Sequence, residues 1–377
     1  MRVETLRRTL AERHALRESA RQQGLMNHRF AAQRSSDRAA RPLWMRVTAI
    51  IMVAVTYFAP AVFLADEVAH AAPIVDPRAP IPFQPTITQT SSGVAAVNIA
   101  TPNSNGVSLN QYQSFGIDSK GLVLNNSTVA GTPLLGGTLG ANPNLKGRSA
   151  TLIINQVTST GPATGLYGPL EVFGAPASVV IASPNGVSVS GLSVTNVTNL
   201  TLTTGTPQFL TGVGGTATDF AHAGAVAYDV RSGSISISGP AGNNGTPGAG
   251  IEGTVGNLDL IGQTVSIQAP LYTNQRVNVI TGNQLVSPTA SDASGVTYGT
   301  ASNGVPNIAT AIPTANGLAI DASQYGSVTS GQIYIVQNAA GLGANMQGPL
   351  SATAGNVVLN ANGDIPSARP SRTRTSI

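Results

Sequence analysis

The chain has 377 residues, of which only 10% are charged, with 42 Gly, 24 Pro and no cysteine. That balance excludes disulfide staples and thiolate metal sites, and it disfavours long helices, because an interior Gly costs about 1 kcal/mol and an interior Pro about 3. The net charge of +4 is concentrated: residues 1–71 hold 11 of the 20 Lys and Arg and 6 of the 16 Asp and Glu, so the body beyond is almost neutral and lacks the clustered cations that nucleic-acid binding needs.

In chain order the first element is an amino-terminal leader. Residues 47–65 form an uncharged apolar run, preceded by Arg41 and Arg46 and followed by Ala69-His70-Ala71. A cationic flank, an apolar run and a small-x-small site predict a signal peptide cleaved after Ala71. Pro60 and that site weigh against the rival reading of a permanent anchor, although the run approaches the roughly 20 residues that span a bilayer. The segment is long for a leader. Either residues 1–71 are an extended signal peptide or translation starts at Met26, and we favour the second start.

From Gly93 onward one theme recurs: three to seven residues rich in Val, Ile, Leu and Thr, then a turn of Gly, Asn, Pro or Ser. Strands are expected at 95–99, 121–124, 151–157, 179–181, 200–203, 225–230, 234–238, 258–261, 277–280, 333–336 and 357–359. Alternation is clearest in Ser234-Ile235-Ser236-Ile237-Ser238, which puts both isoleucines on one face and three hydroxyls on the other. Strands this short suit a sandwich, a barrel or a β-helix. Asn residues expected on the turns (Asn105, Asn125, Asn126, Asn142, Asn155, Asn185, Asn196, Asn199) favour the last, since corner amides can form ladders between coils. The expected fold is all-β, a right-handed parallel β-helix (a single-stranded β-solenoid) on the order of 60 Å long. Stretches 209–224, 239–250 and 287–306 have too few apolar residues for rungs and are expected to be loops or extrusions.

Two turn blocks stand out, Asn142-Pro143-Asn144-Leu145 and Ser183-Pro184-Asn185-Gly186. Pro fixes φ near −65°, and Asn or Gly accepts the positive φ of a tight turn. In the first block the structural reading is a corner, with Leu145 entering the core.

With these blocks come Gly93-Val94-Ala95-Ala96-Val97-Asn98-Ile99, Gly106-Val107-Ser108-Leu109-Asn110-Gln111-Tyr112, Gly121-Leu122-Val123-Leu124-Asn125-Asn126-Ser127, Ile154-Asn155-Gln156-Val157, Glu171-Val172-Phe173-Gly174 and Leu200-Thr201-Leu202-Thr203-Thr204-Gly205. In this order they resemble the two-partner secretion domain of the filamentous haemagglutinin and contact-dependent inhibition exoproteins. The resemblance implies a right-handed β-helix that carries an export signal read by the periplasmic domains of a partner outer-membrane transporter. Asn142, Pro143, Asn144, Leu145, Ser183, Pro184, Asn185 and Gly186 are then the recognition or corner residues. It also implies secretion or surface display by a Gram-negative bacterium, as part of an adhesin or toxin carrier, with a host or neighbouring bacterial surface as a further partner. The chain departs from the family's usual residues at Leu109 (His), Gly116 (Asn) and Ser183 (Asn).

The expected organisation is leader 1–71, secretion domain 72–330, and closing coils with a first haemagglutinin-type repeat at 331–366. Residues 367–377 form an irregular basic tail with Arg369, Arg372 and Arg374, expected to reflect a truncated or frame-shifted product, or a fragment. Beyond residue 71 the chain has one histidine, His222, and ten dispersed carboxylates. Acid–base catalysis and metal sites need such groups to converge. We therefore expect no enzyme, metal, cofactor or small-molecule substrate, with a secreted β-helical polysaccharide-active enzyme as the alternative.

Overall fold

The computed structural model describes residues 72–242, 246–253, 255–293, 295–314 and 316–365. The expected leader with Ala69 and Ala71, and the tail 367–377, lie outside the described residues.

The chain winds through three faces in a fixed order, as one coil shows. Strand Ala177–Ala182 lies on the first face, Val187–Ser190 on the second and Leu192–Thr195 on the third, and Val197–Thr203 returns to the first. The corners of this coil are set by residues that accept positive φ: Gly186 at 108°, Gly191 at 74° and Asn196 at 60°. Asn196 Nδ2 donates to the main-chain oxygens of Val172 and Gly174 on the previous coil, at 2.7 and 3.0 Å. Stacking the coils gives sheets of nine, seven and nine strands, parallel except for one amino-terminal edge strand in each sheet of nine, in a right-handed parallel β-helix. At the amino-terminal end two antiparallel strands, Ile74–Val75 and Thr86–Gln89, pair with the first rungs.

Parallel in-register stacking turns the aliphatic repeat into columns. Ile153, Val179, Leu200, Leu258, Val277 and Ile333 lie in one line on the inner side of the first face, and all are at most 1% exposed. Each such side chain contributes roughly 1.5–3 kcal/mol of transfer free energy. The columns from all three faces merge into one core. Ser234–Ser238 follows its alternation, with the isoleucines buried and the serines exposed.

Several expectations change. Residues 225–230 form a strand, but not a rung. Ala225–Val230 belongs to a separate four-stranded antiparallel sheet with Thr206–Leu210, Gln284–Asp292 and Gly295–Ala301. Two hairpin excursions build it, both leaving the corner between the first and second faces, so 209–224 and 287–306 are extrusions as expected; much of the second is ordered sheet, whereas in the first only Phe209 and Leu210 are strand. The excursion sheet lies over the outer side of the first face, where Leu109, Ile154, Val180, Ile261 and Ile280 pack with Val226, Tyr228 and Val286. The first face is thus buried on both sides, as its near-continuous apolar runs require. Among the described residues of 239–250 there is no strand, only an Ala241–Pro247 bridge. Asn125, Asn126, Asn155 and Asn199 sit inside strands, where Asn125 Nδ2 still reaches Asn98 Oδ1 of the adjacent rung at 2.7 Å. Nine strands at ~4.8 Å spacing extend about 38 Å, less than the length expected, because the excursions and long corners absorb residues that rungs would have used.

Candidate functional site

The Asn142 block closes the long connection that leaves the third face after Leu122–Asn126 and re-enters the first at Leu152–Val157. Pro143–Leu145 forms one 3-10 turn, with Pro143 at its first position and Asn142 as its cap. Asn142 Oδ1 accepts from Asn144 N at 2.9 Å. Its Nδ2 donates to the main-chain oxygens of Ile99 at 3.0 Å and Asn125 at 2.8 Å. Asn144 Nδ2 donates to Asn98 O and Ile99 O, both at 3.2 Å, and Thr101 Oγ1 donates to Asn144 O at 2.7 Å. Leu145 is buried in the main core, and Lys146 ends the turn with φ of 50°. The block therefore sutures the ends of two neighbouring rungs while leaving Pro143 and Lys146 exposed and Asn144 half-buried.

Beside it runs a groove lined in part by Ile81, Pro85, Asn103, Asn144, Lys146 and Phe220. Ile81 is 85% exposed there. The far wall comes from an excursion loop. Phe220 stacks edge-on against Phe83, with ring centroids 4.9 Å apart, and against Phe209 at 5.5 Å.

The Ser183 block occupies a different corner, between the first and second faces, so the two blocks do not converge on one site. Its turn closes through Gly186 N to Ser183 O at 3.0 Å, and Asn185 Nδ2 donates to Ser159 O at 2.8 Å. Pro184 and Asn185 are half-buried. The Ser183 hydroxyl is fully buried and has no hydrogen-bond partner, unlike the saturated carboxamide of Asn142. A side chain with two donors and an acceptor holds its corner, whereas the shorter hydroxyl reaches nothing.

Two buried carboxylates escape sequence reasoning. Glu171, 4% exposed, accepts the main-chain N–H groups of Leu134 and Leu135, each at 2.8 Å, and so anchors the connection that carries the Asn142 block. Asp259, 1% exposed, lies under the excursion sheet and accepts from Asn278 Nδ2 at 2.7 Å, Thr201 Oγ1 at 3.0 Å and Tyr298 Oη at 2.7 Å. Burial raises its pKa above the usual carboxylate value, partly offset by these donors and by the nearby charge of Arg276. A carboxylate inside Leu258-Asp259-Leu260 was the available signal, but only the cover from a distant hairpin makes it buried.

His222 lies in the exposed turn Phe220–His222, paired with Asp219 at 2.7 Å. Its hydrogen bond holds the Asp219 carboxyl below the usual range. Among the described residues no three His, Cys, Asp or Glu side chains gather in a way that could hold a metal ion.

A family model described as TPS secretion domain matches residues 71–367. The chain is 35% identical over 281 residues to the tRNA nuclease CdiA-2 of Burkholderia pseudomallei, a match covering 74% of this chain and 8% of that protein. It is 33% identical over 294 residues to the filamentous hemagglutinin of Bordetella pertussis, covering 75% of this chain and 7% of that protein. The chain thus spans less than a tenth of the length of these curated relatives. The crystal structure of a filamentous hemagglutinin secretion domain superposes with a TM-score of 0.58 at 29% identity, covering 78% of this chain and 98% of that one.

Proposed function

Because this chain belongs to the family of TPS secretion domains, we propose that residues 72–366 direct export through a partner outer-membrane transporter whose periplasmic domains read the Asn142–Leu145 corner. The observation that carries this reading is the family match across 71–367, together with a corner that is fully hydrogen-bonded yet keeps Pro143, Asn144 and Lys146 accessible.

In this reading the leader is removed after Ala71, and the chain crosses the periplasm unfolded. It folds outside on the surface of a Gram-negative bacterium. Stacking makes each new rung favourable once the previous one exists, so folding itself can draw the chain outward. The domain has no catalytic role. It serves as the amino-terminal part of an adhesin or toxin carrier that meets a host or neighbouring cell. Nuclease activity is named for CdiA-2, of which this chain matches only 8%, and no finding favours the polysaccharide-active enzyme. Residues 331–366 close the domain, since Gln332–Gln337 and Val357–Ala361 continue the first face in register.

Co-expression with a two-partner outer-membrane transporter tests the proposal. Processed protein is expected in the medium or on the surface only when the transporter is present. Release that does not depend on the transporter would refute it.

A further inference from the structure

A second groove, remote in function from the Asn142 corner, crosses successive rungs where the third face turns into the first. It has a volume of about 510 Å³ and is lined by, among others, Asn196, Asn199, Asn257, Asn274, Gln275 and Asp292. From it we infer that the domain binds an extended neutral glycan.

Four features carry the inference. Five of the eleven lining residues carry carboxamides, which donate and accept as sugar hydroxyls do. Three rungs are tied by a polar ladder along the floor: Asn199 Nδ2 donates to Ser178 Oγ at 3.1 Å, and Asn257 Nδ2 donates to Asn199 Oδ1 at 2.8 Å. The ladder preorganises the wall, so a ligand need not order it. By contrast, the amides of Asn274 and Gln275 are exposed and form no hydrogen bond with the described residues. They are free to bind.

Next, the ladder repeats at the rung spacing of about 4.8 Å, close to the advance of one pyranose unit along an extended glycan, so one pattern of polar groups can serve successive sugars. Thirdly, Asn257 is 3% exposed and its Oδ1 is buried without a partner. It sits beneath Gly295, whose φ is 122° and where a Cβ would come within 2.2 Å of that oxygen. This spare acceptor at the groove floor is costly to leave unpaired, and a hydroxyl donor is the group that would satisfy it. Finally, Tyr272, outside the groove lining, is 44% exposed at the end of the strand Leu271–Tyr272, two residues before Asn274, and an exposed ring next to the groove offers a flat apolar face for the C–H side of a sugar that runs past its end.

Charge selects the neutral class. Among the described residues the cation nearby, Arg276, is held through its terminal nitrogens by Gln332 Oε1 and Val296 O, and its Nε is buried, while Asp292 places a carboxylate on the lining. An acidic glycan would meet that carboxylate with the guanidinium already held in place.

The test is a chemical-shift titration of the full chain with chitohexaose and cellohexaose, with hexagalacturonate as the acidic comparison. The side-chain amides of Asn274 and Gln275 are expected to shift saturably, in the millimolar range, with at least one neutral hexamer. The double variant Asn274→Ala/Gln275→Ala is expected to bind at least about tenfold more weakly, with an unchanged melting temperature because both side chains are exposed and unpaired. Its export through the transporter is expected to be unaffected, which separates this inference from the export reading. No saturable shift with either neutral hexamer, shifts confined to another surface, tighter binding of the acidic hexamer, or undiminished binding by the double variant would each overturn it.

Discussion

Asn103 and Phe220, 117 residues apart in sequence, are joined by a 2.7 Å hydrogen bond from Asn103 Nδ2 to the main-chain oxygen of Phe220. The same nitrogen donates to Ala223 O at 2.8 Å, while Asn103 Oδ1 accepts from Asn105 N at 3.0 Å and Val107 N at 2.9 Å. One side chain therefore shapes the turn into the first full rung and clamps an excursion loop to it. The outer apolar stripe of the early rungs, Leu109 and Ile154, stays uncovered until the excursion sheet has formed. The rod can stack from its amino terminus, but its flank is completed only by residues far downstream.

Asn103→Ala removes four hydrogen bonds, while Phe220 O keeps Ala223 N and Ala223 O keeps Asn105 Nδ2 as a donor. A loss of about 2–3 kcal/mol is expected, read as a lower urea midpoint at constant slope. Amides of the 211–224 loop should lose hydrogen-exchange protection in the same variant. An unchanged midpoint would show that the clamp follows folding without supporting it.

Asn142 and Ser183 should respond in opposite ways to the same truncation. Asn142→Ala strands Asn125 O and Asn144 N and weakens the hold on Ile99 O, for an expected loss of about 2–4 kcal/mol. Ser183→Ala deletes a buried hydroxyl that has no partner, so stability should stay within about 0.5 kcal/mol or rise by up to about 1. Thermal melts of the two variants decide this.

Asp259 gives a pH signature. Its folded pKa lies above the ordinary value of 3.8 because burial disfavours the carboxylate. As pH rises past that value, the unfolded chain releases the proton before the folded chain does. The folded state then binds more protons, and stability falls with pH until the folded pKa is passed. Asp76 and Asp219 have lowered values and act in the opposite direction, so the informative quantity is wild type minus Asp259→Asn. That difference should decline as pH climbs past about 4 and level off only above the folded pKa. A flat difference would mean that the carboxyl is not desolvated.

Much of the fold could be read from the sequence because its signals are local. Alternation in Ser234–Ser238, corner glycines such as Gly186 and the aliphatic runs each act over a few residues, and parallel stacking then makes the columns. The Asn142 block was legible for the same reason: Pro143 and the amide of Asn142 define the turn within four residues. Relations that close over long separations were not legible. Nothing near Ala225–Val230 distinguishes a rung from an excursion strand, since both need the same β-branched content. The choice is made by pairing with Gln284–Asp292, more than 50 residues away. Glu171, Asp259 and Asn103 likewise acquire their roles from partners outside their own rung, such as Leu135, Thr201 and Phe220, and the orphaned Ser183 hydroxyl depends on what its corner fails to supply.

The export reading is tested most directly by comparing Asn142→Ile with a variant of matched melting temperature that leaves the corner intact. Val226→Ala, which truncates an excursion-sheet side chain buried against the first face and should cost about 2 kcal/mol, is a suitable partner. Both chains are co-expressed with the transporter, and processed protein is quantified in the medium and in the periplasm. Asn142→Ile is expected to accumulate in the periplasm while Val226→Ala is exported near the wild-type level. Equal export of the two variants, tracking stability alone, would contradict recognition of the Asn142 corner by the transporter.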